Sequence, residues 1–230
     1  MYKKRVKKYL FYSIGEIFLV VIGILIAVSI NSANEIRKKK KNLRNTFVTY
    51  KEDLKIDTLS IGSVLKQLEV KKKIFDQFLS DTVTIEMYKK NPQAMGLVLS
   101  YAPFELQKKG IRMLEKFEVA DTEQTDSLLV QILANHNVFD VLLKETHERI
   151  GADISENMEY LKYNHTWIGD LLLGNIDNPD MYEYYVSDTY RARLAIHYML
   201  VYKNLKPILD SYMKSAKDVL DKIEEKTKEY

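Results

Sequence analysis

The sequence predicts an all-α protein, an N-terminal transmembrane helix continuing into an elongated antiparallel helical bundle. Three observations predict it. Only four prolines and eight glycines punctuate 230 residues, and long stretches lack both, which favours helices over a turn-rich β protein. Residues 10–30 are apolar on nearly every face. Beyond them, apolar residues recur at three- and four-residue spacings, and no strict alternation persists. The short run "TVTI" at 82–85 is too brief for a strand.

The first element is a basic tail, residues 1–9. It opens an asymmetry that the net charge of +3 conceals. Residues 1–44 hold eleven Lys and Arg against Glu16 and Glu35, a balance of +9, which leaves −6 for the rest. The basic residues bracket an apolar run while the body is acidic, so the lipid bilayer is the expected partner and nucleic acid is not. With no cysteine, disulfides, thiolate catalysis and Cys-based metal sites are excluded.

The second element is the anchor, residues 10–30. As a helix it spans about 31 Å, matching a hydrocarbon core of ~30 Å. A cleaved signal peptide competes, because Ala27-Val28-Ser29 resembles a cleavage site. Against it, Glu16 interrupts the apolar run, and "RKKKK" would stand near the start of the mature chain. A core helix of a soluble domain fits less well, since few such helices are apolar all round. The expected arrangement is a single-pass anchor. Five basic residues precede it and six follow, which nearly ties the positive-inside comparison. A short basic N-terminal tail stays inside by default, so the body is expected in the periplasm of a bacterial inner-membrane protein.

Glu16 shares a helical face with Gly23, Ala27 and Asn34, all within roughly 40° of one line at ~100° per residue. Small residues allow close helix approach, and an acid inside a membrane usually faces protein. The expected role is a contact face, within a homo-oligomer or with another membrane protein. The alternative is that Glu16 lies shallow and reaches the headgroups.

The run "IGEIFLVVIGILIAVSINSANEIRKKKK", followed by "YKEDLKIDTLSIGSVLKQLE", resembles a family of uncharacterised single-pass membrane proteins found mainly in Bacteroidota, a domain of unknown function. "FELQKKGIRMLEK" and "YRARLAIHYMLVYKNLKPILDSYM" are similar to later family segments. The family usually has Trp before the Asn-Glu exit, where this chain has Ala33. The resemblance implies a bacterial envelope protein with a helical domain and a contact role for Glu16; it implies no activity.

The third element is the helical domain, residues 31–230. A long helix is expected over about 31–79, with a heptad-like stripe of Leu43, Phe47, Tyr50, Leu54, Ile61, Val64, Leu68, Phe75 and Phe78 that skips at Asp57 and Lys71. Short helices follow over 84–118, at about 84–90, 92–100 and 103–118, the last two started by Pro92 and Pro103. A linker capped by Asp121 or Thr122 leads to a helix over about 123–173, broken or kinked near Asn135-His136-Asn137 and Gly151. Its stripe includes Leu129, Ile132, His136, Phe139, Leu143, Ile150, Ile154, Met158, Leu161 and His165. The last helix, about 181–228, carries Tyr190, Leu194, Tyr198, Val201, Leu205, Ile208, Tyr212 and Val219, and Pro207 is expected to bend it.

No chemistry stands out. The histidines form no His-x-x-x-His pair, and Lys144 and Lys162 occupy the positions where a di-iron bundle needs Glu. There is no phosphate-binding loop and no nucleophile elbow. The protein is therefore expected to be no enzyme and to carry no cofactor or metal. Tyr182, Tyr184, Tyr185 and Tyr190 belong to a tyrosine cluster that reads either as helix packing or as a partner-binding surface. The expected function is a scaffold or partner-binding subunit. Its rivals are a ligand-sensing or regulatory subunit, marked by a buried polar pocket, and an unrecognised enzyme, marked by His and acid groups in one cleft.

Overall fold

The computed structural model describes the backbone of residues 2–120 and 126–228, and the side chains of residues 15–117 and 126–228. Those residues contain no strand. Helix α1, Tyr2–Phe78, is 77 residues long and unbroken. Every described side chain from Gly15 through Asn42 is exposed, and packing begins at Leu43 and Thr46. From there the expected stripe is the core face: Phe47, Tyr50, Leu54, Ile61, Val64, Leu68, Phe75 and Phe78 are buried. The skipped Asp57 is buried with them.

Four helices make the bundle: α1, α3 (Lys109–Ala120), α4 (Ser127–Asn164) and α8 (Lys206–Lys228). Cross-links fix their directions. Arg44 Nε donates to the Thr227 carbonyl, Lys51 pairs with Glu224, and Lys206 pairs with Glu69, so α8 runs antiparallel to α1. Gln131 Nε2 donates to Asp218, and Asn135 Nδ2 donates to Ser215, which sets α4 antiparallel to α8.

Helix α3 starts six residues later than expected. Residues 101–108 are irregular, and Pro103 opens no helix. The reason lies on α1. Asp57 accepts the Gln107 N–H at 2.9 Å, and Asp53 accepts the Gly110 N–H. These carboxylates supply from another helix the acceptors that a local N-cap would otherwise provide. Gly110 is required there, because a Cβ would lie 2.4 Å from the Tyr50 Cα.

Helix α4 is continuous from Ser127 to Asn164, so no break occurs at Asn135-His136-Asn137 or Gly151. His136 faces the core, and Asn135 is held by Ser215. The caps expected at Asp121 and Thr122 lie outside the described residues; Asp126 caps α4 by accepting from Leu128 and Leu129. The helix stops at His165, and α5 (Ile168–Leu172) follows. Gly174, at φ +85°, ends α5. The Asn175 N–H reaches the Asp170 carbonyl and the Gly174 N–H the Leu171 carbonyl, a Schellman arrangement.

The expected last helix is four pieces. Helix α6 (Pro179–Tyr185) and α7 (Asp188–Tyr198) are separated by Ser187, whose hydroxyl accepts the Tyr190 N–H. A π-helical turn, Met199–Leu205, joins α7 to α8. Pro207 has no N–H to offer the preceding turn and crowds the carbonyl four residues back. A wider turn before it accommodates this, with the Lys206 N–H bonding the Val201 carbonyl. At the far end of the bundle, α2 (Ile85–Lys90) and a 3₁₀ turn, Pro92–Gly96, close over Phe78 together with α6.

Candidate functional site

Tyr182, Tyr184, Tyr185 and Tyr190 are all buried, which makes them core rather than a partner surface. They pack with Phe78, Tyr88 and Trp167 into an aromatic cap. Phe78 lies 4.5 Å from Tyr88 and Tyr185 lies 4.6 Å from Tyr190, ring centre to ring centre. Trp167 stacks on His165 at 4.7 Å. The Tyr190 hydroxyl donates to the Ala94 carbonyl at 2.9 Å, tying α7 to the 3₁₀ turn. Burial pushes the Tyr184 hydroxyl up to about 12 and the Tyr88, Tyr185 and Tyr190 hydroxyls above their usual range.

The other half of the bundle holds acids instead. Asp53 and Asp57, one turn apart on α1, are both buried. Asp57 accepts from Gln107 and, at 2.9 Å, from the Tyr212 hydroxyl of α8. Burial pushes Asp57 up to about 6; the two hydrogen bonds it accepts oppose the shift, and the neighbouring Asp53 charge adds to it. This cluster joins α1, α3 and α8. Both Asp57 oxygens and the Asp53 Oδ2 accept from protein donors, so the cluster holds helices together.

A third polar group lies between them. His197 Nδ1 meets Asp153 Oδ2 at 2.6 Å, with His197 buried. Nδ1 and the Asp153 carboxylate share one hydrogen bond. Phe75 stacks on the imidazole at 6.0 Å. One turn away, Arg193 donates to Asn157 at 2.8 Å and lies over the Tyr160 ring. His197 lines a cleft with Gln67, Lys71, Ser100, Tyr101 and Tyr202, beside the π-helical turn. Such turns recur at functional sites. Sequence reading placed Tyr198 on the stripe, but His197 is the buried member, at the 190–194–197–201 spacing.

The remaining histidines do not converge. His136 is edge-on to Tyr50, His147 packs edge-on to Phe104, and His165 is in the aromatic cap. Burial lowers the pKa of all three. Among the described residues no group of three or more His, Cys, Asp or Glu is placed to hold a metal ion.

Glu16, Gly23, Ala27 and Asn34 are exposed on the bare part of α1. No other part of the chain lies within 4 Å of where a Gly23 Cβ would stand. The apolar residues around them are equally uncovered: Ile17 is 63 %, Leu19 72 % and Ile30 66 % exposed.

The class these features define is an all-helical protein in which, among the described residues, one helix is long and apolar enough to cross a membrane and then serves as the spine of a bundle. Residues 16–105 match a family of unknown function (DUF6090). The matched span runs from Glu16 through the bare and packed parts of α1 to the irregular strap that reaches Asp57. No curated protein and no solved structure matches the chain.

Proposed function

We propose that the protein is a non-enzymatic, single-pass bacterial inner-membrane protein that acts as a scaffold or partner-binding subunit. The observation that supports this most is the uncovered apolar half of α1. Its most apolar window has a mean hydropathy of 2.2 and none of it is buried. A core helix of a soluble protein would be covered. The helix also continues unbroken through Ala27, Val28 and Ser29 into the bundle, which favours a retained anchor. The partner is a second copy or another membrane protein, received on the face of Glu16, Gly23, Ala27 and Asn34. In this reading the body lies in the periplasm.

Three measurements test this reading. Alkaline carbonate extraction should leave the full chain in the membrane pellet; a soluble chain beginning near Ile30 overturns the anchor. A reporter fused after Tyr230 that is active in the cytoplasm reverses the orientation. Crosslinking in membranes reads the contact face. Gly23→Leu should weaken association at least as much as Glu16→Gln, because Leu blocks close approach while Gln keeps a hydrogen bond of ~0.6 to 2 kcal/mol. No change in either variant removes the contact role.

A second reading, a ligand-sensing subunit, is favoured by the Asp153–His197 pair at its cleft. Screening small carboxylic acids against the His197 ring signals in NMR tests it. Unmoved signals across the set set this reading aside.

A further inference from the structure

We infer that the chain forms a parallel homodimer along the outer face of α1, from Glu16 to Val70, which rests on the reading that the Glu16 face is a contact face in a membrane. Four apolar residues stand uncovered on the outer side of the bundle: Val48, Ile56, Leu59 and Val70, with Leu59 76 % and Val70 66 % exposed. At ~100° per residue they lie within roughly 40° of the line through Glu16, Gly23, Ala27 and Asn34. The buried residues of α1 lie on the opposite side. Because α1 is unbroken, the two stripes are one face of one element.

The spacing ties the stripes together. Val48, Leu59 and Val70 are eleven residues apart, as are Glu16 and Ala27, and Gly23 and Asn34. Ile56 lies two such steps beyond Asn34. An eleven-residue repeat is about 3.67 per turn, which keeps one face against a partner helix in a right-handed supercoil. The inner face repeats every seven residues instead, through Phe47, Leu54, Ile61, Leu68 and Phe75, all buried. The outer stripe is therefore no echo of the core spacing.

The area selects the occupant. From Val48 to Val70 the stripe is about 33 Å long, and a strip ~10 Å wide would bury about 330 Å² per copy. That falls short of the ~800 Å² per partner of a stable interface. From Glu16 to Val70 the same strip is about 81 Å long and reaches about 800 Å². A partner must then follow α1 both within the bilayer and far beyond it. A second copy does so by construction. Both copies enter the bilayer in one sense, and a two-fold axis along the membrane normal sets each residue against its own copy at the same height. The charged members of the line are long side chains. Glu52 already turns to Lys55 at 2.8 Å, and Lys38, Lys41 and Lys66 can carry their charges aside on flexible stems.

The chain has no cysteine, so single cysteines report the face without background. The full chain is reconstituted in phosphatidylcholine bilayers and oxidised as Asn34→Cys, Leu59→Cys, Val70→Cys or Val138→Cys, the last exposed on α4. A disulfide forms only where Cα atoms come within ~7 Å, so the first three should each give at least about fivefold more dimer than Val138→Cys. Adding Leu59→Glu with Val70→Glu changes only exposed positions and sets each new carboxylate against its own copy. It should lower the Asn34→Cys dimer about threefold or more, since like charges brought together at an interface repel. An Asn34→Cys yield unmoved by that pair overturns the continuous face. Dimer from Asn34→Cys with none from Leu59→Cys and Val70→Cys overturns the inference and leaves the Glu16 reading standing. Equal dimer from Val138→Cys and Leu59→Cys overturns it as random collision. No dimer at any position overturns it too, and the Gly23→Leu crosslinking in native membranes then decides whether another membrane protein takes the Glu16 face.

Discussion

Phe18 and Phe47 stand on one unbroken helix, yet Phe18 is 66 % exposed and Phe47 is fully buried. On the proposed reading, one helix serves two solvents. Around Phe18 the apolar residues cover nearly every face, so no single neighbouring helix could hide them and a surrounding apolar medium is needed. Around Phe47 they form a stripe with charged residues on the other side, so the helices packed along that one face, chiefly α3 and α8, suffice. The changeover falls between Asn42 and Thr46.

The largest effect that sharpens this contrast comes from placing lysines in the bare half. Ile22→Lys with Ile26→Lys should cost about 5–7 kcal/mol of insertion, at ~2.5–3.5 kcal/mol each near a helix centre. The chain should leave the carbonate pellet, while the bundle keeps its melting temperature in circular dichroism. A loss of folding on release would show that the two halves depend on each other.

In the packed half, Gly110→Ala should cost about 3 kcal/mol, because its methyl would meet the Tyr50 backbone, which has no flexible end to move aside. A fall in melting temperature of roughly 6–12 °C is expected, with membrane retention unchanged. An unaltered melting curve would mean that α3 does not lie against Tyr50.

A smaller effect follows from Asp57. Its pKa rises from 3.8 unfolded to about 6 folded, so between these values the folded chain holds a proton that the unfolded chain has released. Stability therefore falls as pH rises from about 4 to about 6, then levels off, by roughly 1–3 kcal/mol at 1.36 kcal/mol per unit. Asp57→Asn keeps an acceptor for Gln107 and offers Tyr212 a donor. Its denaturant midpoint should be flatter across this window and no lower than the parent's at pH 7. A parental slope in the variant would assign the pH dependence elsewhere.

The long-range features in these tests differ in how far the sequence exposed them. Phe47 through Phe78 were legible because a helix repeats about every 3.6 residues, so a buried face writes itself into the spacing. Of its two irregularities, Asp57 and Lys71, Asp57 marked the acid cluster without revealing its partners, which lie at Gln107 and Tyr212. The α4 stripe did not include Thr146 or Asn157; both are buried, where the Thr146 hydroxyl donates to the Leu142 carbonyl and Arg193 donates to Asn157. Pro103 gave a helix-start signal that the carboxylates of Asp53 and Asp57 overrode by capping six residues later. Asp153 and His197 lie 44 residues apart, and no spacing rule joins them.

By itself the sequence determined the helical class, the apolar span, the basic exit and the inward face of α1, because all of these depend on residues within a few turns of one another. Only the tertiary structure decided that the tyrosines are a buried cap, that Asp57 holds α3 and α8, and that His197 faces Asp153. Those outcomes depend on which helices lie side by side, and a buried polar group takes whichever partner the packing brings within hydrogen-bonding reach.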